Sequence, residues 1–126
     1  PLYSSAASDV YKRQAKMGLN LSRGKPAKYY SSDRIAQLLG NGLLTFIDIQ
    51  TQFNDLIGKD SVIYYSNIDD LSYKINKYKK DTKQAKKIAK KGRDFYLKYF
   101  NSTIVSDYML SKLFDYKSSN NFIWTK

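Results

Sequence analysis

Lys28, Ser31, Ser32, Asp33 and Arg34 crowd the approach to an apolar run in which Ile35, Leu38 and Leu39 recur at helical spacing. The serines and Asp33 carry side chains of the helix-capping type. A helix start presents unpaired N–H groups and the positive end of its dipole, and together these attract phosphate. Lys28 and Arg34 flank that point and add charge. The chemistry on offer is therefore anion recognition. Nucleophilic and metal chemistry are poorly served, because the chain has neither cysteine nor histidine and all 11 of its acids are aspartate. No metal, cofactor or catalytic residue is expected. The same pattern also suits an ordinary αβ unit whose helix start binds nothing.

The elements that must position these residues read as follows. Gly40-Asn41-Gly42 ends the helix, since both residue types accept the left-handed conformation of a helix stop. Leu43 to Ile47 is too short for another helix and apolar on both faces, as in a buried parallel strand. Upstream, Met17 to Ser22 reads as a short strand, with Leu19 and Leu21 alternating with Asn20 and Ser22. Arg23-Gly24-Lys25-Pro26 then forms a loop. Ligands of open α/β sheets bind beyond the carboxyl ends of the strands, which is the side where Arg23, Lys25 and Lys28 fall.

Downstream, Asp48 to Gly58 reads as a loop and a short helix with Phe53, Leu56 and Ile57 on one face. Ser61 to Tyr65 is a third strand. Ser66 or Asn67 caps a helix that buries Ile68, Leu71, Ile75 and Tyr78. Asp81-Thr82 opens another, with a stripe of Ala85, Ile88, Ala89, Gly92, Phe95, Tyr96, Tyr99 and Phe100. Asn101-Ser102 opens a last one, with Ile104, Val105, Tyr108, Met109 and Leu113 inward. Asp115 to Lys126 is a polar tail. Its one cluster, Phe122-Ile123-Trp124, lacks an obvious local partner and is expected to pack on an amino-terminal half absent from this sequence. The alternation predicts an α/β fold, a parallel sheet followed by three C-terminal helices.

The stretch SSDRIAQLLGNGLLTFID also resembles a segment of GT-B glycosyltransferases: a polar loop, then R-[IV]-F-E-A-L-A-C-G and an apolar strand. More narrowly it is similar to the group 1 C-terminal domain of spore-maturation-type transferases. The resemblance runs from about Met17 to Phe114 and includes an I-A-x-x-G-[RK] segment, carried by Ile88, Ala89, Gly92 and Arg93. It implies a Rossmann-like half of a GT-B fold that binds a nucleotide-diphosphate sugar, with a glycan or lipid-linked acceptor held by the other half. The donor diphosphate would meet the loop and helix start matched by Ser31, Ser32 and Asp33. Arg34 matches the arginine that opens the family helix. Gln37 stands where the family has a glutamate that grips the donor ribose. Tyr29 stands where many retaining members have an acid. With Arg23 and Lys28 from the loop, Ser31, Ser32, Asp33, Arg34 and Gln37 make up the expected donor site, and Tyr29 is a departure from the family pattern.

The 126 residues amount to one domain, and the net charge is +11. Lysine outnumbers arginine 18 to 4, and the span from Lys74 to Lys98 holds 11 basic residues and two acids. A solvated helical face explains this run better than a binding site, because phosphate readers often prefer arginine forks. Residues 1–14, PLYSSAASDVYKRQ, resemble a translated sequencing-adapter scar and are set apart. The expected domain is 15–116, truncated at its start, with a tail over 117–126. On that reading the chain is a carboxy-terminal fragment, inactive without its amino-terminal half. No apolar run approaches the roughly 20 residues of a membrane span. A cytoplasmic protein, or one peripheral to the membrane, is expected. Two other functions fit the composition less well: a basic nucleic-acid-binding module, and a non-catalytic α/β interaction domain. No nucleic-acid partner is expected, because the lysines are scattered and not interleaved with exposed aromatics.

Overall fold

The computed structural model describes residues 14–21, 24–30 and 32–125. Strands β1 (Met17–Asn20), β2 (Leu44–Asp48) and β3 (Ile63–Tyr65) form one parallel sheet in that order. Met17 pairs with Leu44, and Phe46 with Ile63. Helix α1 (Asp33–Gly40) links β1 to β2, and helices α2 (Ile68–Lys80), α3 (Thr82–Tyr99) and α4 (Ser102–Leu113) follow the sheet. This is the expected α/β order, a Rossmann-like parallel sheet with three helices after it.

Strand side chains alternate between faces, and here both faces are covered. Leu44, Phe46, Ile63 and Tyr65 pack on one face with Tyr78 of α2 and Ala85, Ile88 and Ala89 of α3. Ile47, Val62 and Tyr64 pack on the other with Ile35 and Leu39 of α1 and with Phe53 and Ile57. Leu44 to Ile47 are consequently buried without a break, as a strand covered on both sides must be.

Helix α3 serves both layers. Its first half supplies Ala85, Ile88 and Ala89 to one core, while Phe95 and Tyr96 join the other. The helix changes face where the strands begin. There Gly92 abuts the Ser61 carbonyl and Leu39, and the Arg93 Nε donates to the Gly40 carbonyl at 3.1 Å. The close contact expected of this helical glycine is present.

Four expectations are corrected. The helix expected within 48–58 is instead two 3-10 turns, Ile49–Thr51 and Phe53–Asp55. The Asp48 carboxylate accepts from the Gln50 N–H at 2.8 Å. Gln52 then turns to φ 56, which interrupts any continuous helix. Ile68 is 81% exposed: it opens α2 after β3 has ended at Tyr65, so no strand lies beneath it. In α4 the apolar residues divide between two sides. Ile104 and Tyr108 are half-buried, whereas Val105, Met109 and Leu113 are exposed. Lastly, the tail cluster has local partners. Trp124 packs on Phe100 with ring centroids 5.2 Å apart and meets Tyr108 edge-on at 5.7 Å. Asp107 secures this tail by accepting from Asn120 Nδ2 at 2.8 Å, from the Tyr116 hydroxyl at 2.5 Å and from the Ser118 hydroxyl. Among the described residues no helix is long and apolar enough to cross a membrane.

Candidate functional site

A helix between two parallel neighbours runs back against the strands, so α1 starts at the carboxyl end of β1. Arg34 fixes that junction. Its Nη1 donates to the Leu21 carbonyl at 2.6 Å, tying the first helical turn to the residue after β1. The guanidinium itself is exposed and keeps further donors for a ligand.

Among the described residues no side chain caps the start of α1, unlike those of the other three helices. Asn67 accepts from the Asp70 N–H, Asp81 from Gln84, and Asn101 from Ile104. At α1 the N-cap is Ser32, in extended conformation with φ −110° and ψ 166°, and its side chain makes no capping bond. Its Oγ is buried and, among the described residues, has no hydrogen-bond partner. The expected side-chain cap is therefore not made by Ser32. Asp33 does not make it either: its carboxylate accepts from the Gln37 Nε2 at 3.2 Å. One donor of the Gln37 amide is thus committed within the helix, and its carbonyl oxygen remains available.

Lys28 and Tyr29 lie on the loop before this helix. The Lys28 Nζ stands 4.9 Å from the centroid of the Tyr29 ring. Tyr29 has φ 55, a left-handed conformation that bulky residues rarely adopt. Its N–H donates to the Thr51 carbonyl at 2.9 Å and its hydroxyl to Asp55 Oδ2 at 2.7 Å. The bond to Asp55 raises the tyrosine above the usual phenol range. These bonds hold the loop after β1 against the turns after β2. Of the expected site residues, Ser32, Asp33, Arg34 and Gln37 lie at the cap and first turns of α1, and Lys28 lies on the loop before it. Arg23 and Ser31 lie outside the described residues, as do residues 1–13.

Asn20 escaped the sequence reading. It is 4% exposed, and among the described residues its Oδ1 has no hydrogen-bond partner. Alternation with Leu19 and Leu21 made it look solvent-facing. Only the covering of both sheet faces reveals it as a buried polar group.

The basic run from Lys74 to Lys98 is a solvated surface. Lys74 pairs with Asp70 at 2.8 Å, Lys90 with Asp94 at 2.5 Å and Lys91 with Asp60 at 2.9 Å. Most of its remaining lysines are exposed along α2 and α3. Among the described residues no group of three or more acids is placed to hold a metal.

A family model described as glycosyl transferase-like matches residues 2–111. No curated protein and no solved structure matches the chain.

Proposed function

The chain belongs to the glycosyl transferase-like family, and on that premise we propose that it binds a nucleotide-diphosphate sugar, with the diphosphate seated at the start of α1. The observation that carries this reading is the open helix start. Ser32 leaves the first turn uncapped while Arg34 is anchored beside it. The resemblance supplies the finer identity: the donor-binding half of a GT-B transferase of the spore-maturation type, acting with a second half that holds a glycan or lipid-linked acceptor.

The chemistry follows from the charges. As the bond between the sugar C1 and the diphosphate oxygen breaks, the electron pair leaves with the diphosphate. The acceptor hydroxyl oxygen forms the new bond to C1, and its proton passes to a base outside the residues named here. Helix N–H groups, Arg34 and Lys28 stabilise the charge that grows on the leaving group, an electrostatic contribution that needs no titrating side chain. Gln37 lies one turn further along α1, within reach of the ribose by analogy with the family glutamate.

Calorimetric titration with UDP, GDP, CDP and dTDP tests the proposal. Saturable binding of one nucleotide that Arg34→Ala weakens is the expected result. No nucleotide binding, with salt-sensitive binding to arbitrary DNA, would replace it with a basic nucleic-acid module.

A further inference from the structure

We infer that Asn20 is a specificity-determining residue of this site: its Oδ1, beneath the first turn of α1, accepts a hydrogen bond from a ring hydroxyl of the donor. The inference rests on the donor-binding reading above and adds to it a group that neither the capping pattern nor the family segment indicates.

The placement follows from the strand. A Cβ built on Gly18 would meet the Leu38 side chain of α1 at 2.3 Å, so the even-numbered positions of β1 face α1. Met17 and Leu19 pack on the opposite core, as the alternation requires. Two residues beyond Gly18, the strand has advanced about 7 Å toward its carboxyl end. One turn before Leu38, the antiparallel helix has retreated about 6 Å toward its start. Asn20 therefore lies under Arg34, and the bond from Arg34 to Leu21 closes the junction beside it.

A buried carbonyl oxygen without a partner destabilises a fold, and native proteins retain few of them. Among the described residues, two buried oxygens without a partner belong to residues at this junction, Asn20 Oδ1 and Ser32 Oγ. Their chemistries differ. The serine hydroxyl donates as well as accepts, which suits a phosphate oxygen. An amide oxygen only accepts, and an ionised phosphate has no hydrogen to give it. The group that Asn20 recognises must offer a hydrogen, as N–H or O–H, and of the groups on a nucleotide-diphosphate sugar the ring hydroxyls, on the ribose or on the transferred sugar, are the donors nearest its diphosphate.

A double-mutant cycle between protein and ligand tests this. The full chain and its Asn20→Leu variant are titrated with UDP and GDP and with their 2′-deoxyribose counterparts. The same pair is then titrated with UDP-glucose and UDP-2-deoxyglucose. Wild type is expected to lose about ten- to a hundredfold in affinity on one deoxygenation, and the variant to lose almost nothing on the same step. Loss on the ribose analogues assigns the contact to the nucleoside, and loss on the sugar analogue assigns it to the transferred group. Asn20→Ala repeats the cycle without added bulk, and the ligand-side deletions on wild type need no variant. Equal losses in both proteins on every deoxygenation would overturn the role of Asn20 while leaving the diphosphate site standing. Failure of wild type to bind UDP, GDP, CDP or dTDP would remove the donor site itself.

Discussion

A side chain on Gly92 has no room: a Cβ there would stand 2.3 Å from the carbonyl oxygen of Ser61. The oxygen is backbone and a Cβ has no torsional freedom of its own, so the contact can be relieved only by moving α3 away from the segment that leads into β3. Because α3 packs on both sheet faces, that movement disturbs both cores. Overpacking of this kind costs about 1–3 kcal/mol, against a helix-propensity gain of about 1 kcal/mol from replacing glycine. Gly92→Ala is therefore expected to lower stability in urea denaturation. Gly40, which has open space at its Cβ position, provides the control: Gly40→Ala should leave stability nearly unchanged.

Arg34 joins a fold contact to a ligand contact, and the two can be separated. Its bond to the Leu21 carbonyl is exposed, so Arg34→Ala should cost at most about 1 kcal/mol of stability. Nucleoside-diphosphate affinity should fall by about tenfold or more, since charge-assisted bonds to phosphate are the strong ones. Arg34→Lys keeps the charge and loses the fork, and is expected to recover only part of the affinity. Unchanged affinity in Arg34→Ala would take this residue out of the site.

The tail should respond to acid. Hydrogen bonds from Asn120, Ser118 and Tyr116 hold the Asp107 carboxyl below the ordinary carboxylate range. A value depressed in the folded state means that the ionised form favours the docked tail. That contribution is full above about pH 4, the unfolded value, and is lost as pH falls through the lower folded value. Tyr116 behaves oppositely. Its bond to Asp107 raises it, so its contribution is full below about pH 10 and is lost as pH rises through the folded value. Trp124 is the only tryptophan and packs in this tail. Its emission should move toward that of exposed indole below about pH 4, and Asp107→Asn should remove that step. Emission that stays constant through the acid range in wild type would contradict the tie.

Tyr64 supplies a buried bond whose loss is easily read. Its hydroxyl donates to the Ile57 carbonyl at 2.7 Å, and burial pushes its pKa far above the phenol range. Tyr64→Phe leaves that carbonyl without its partner and should cost about 1–3 kcal/mol in chemical denaturation. A variant as stable as wild type would show that water replaces the hydroxyl.

The layout of the sheet was legible because strand and helix periods differ so plainly. Leu43 to Ile47 has no polar side and must be buried on both faces, and Gly40 and Gly42 bracket its entry. The caps of α2, α3 and α4 were likewise readable from Asn67, Asp81 and Asn101, all of which accept the expected N–H. Ser32 looks the same in sequence and behaves differently: its hydroxyl is buried and makes no capping bond. Asn20 was hidden for a related reason: alternation shows which residues share a face and not whether that face is covered. In α4, Ile104, Val105, Tyr108, Met109 and Leu113 read as one stripe, yet only Ile104 and Tyr108 of these are half-buried, Tyr108 against Phe122 and Trp124 of the tail. Tail docking depends on Asp107 gathering three donors from residues 116–120, a convergence that no local pattern encodes. The loop and short helix expected over 48–58 are instead 3-10 turns at Ile49–Thr51 and Phe53–Asp55, and the left-handed Gln52 between them carries no glycine-like signature.

The central claim is that diphosphate sits on the first turn of α1, and backbone amide shifts report it directly. A 15N-labelled chain would be titrated with UDP, GDP, CDP and dTDP while its amide resonances are followed. The account predicts that one of these nucleotides shifts the Asp33 and Arg34 amides most, with Ser32 and Gln37 next, and that α2 and α3 stay unmoved. Shifts confined to the lysine-rich surfaces of α2 and α3, or no shift with any nucleotide, would contradict it.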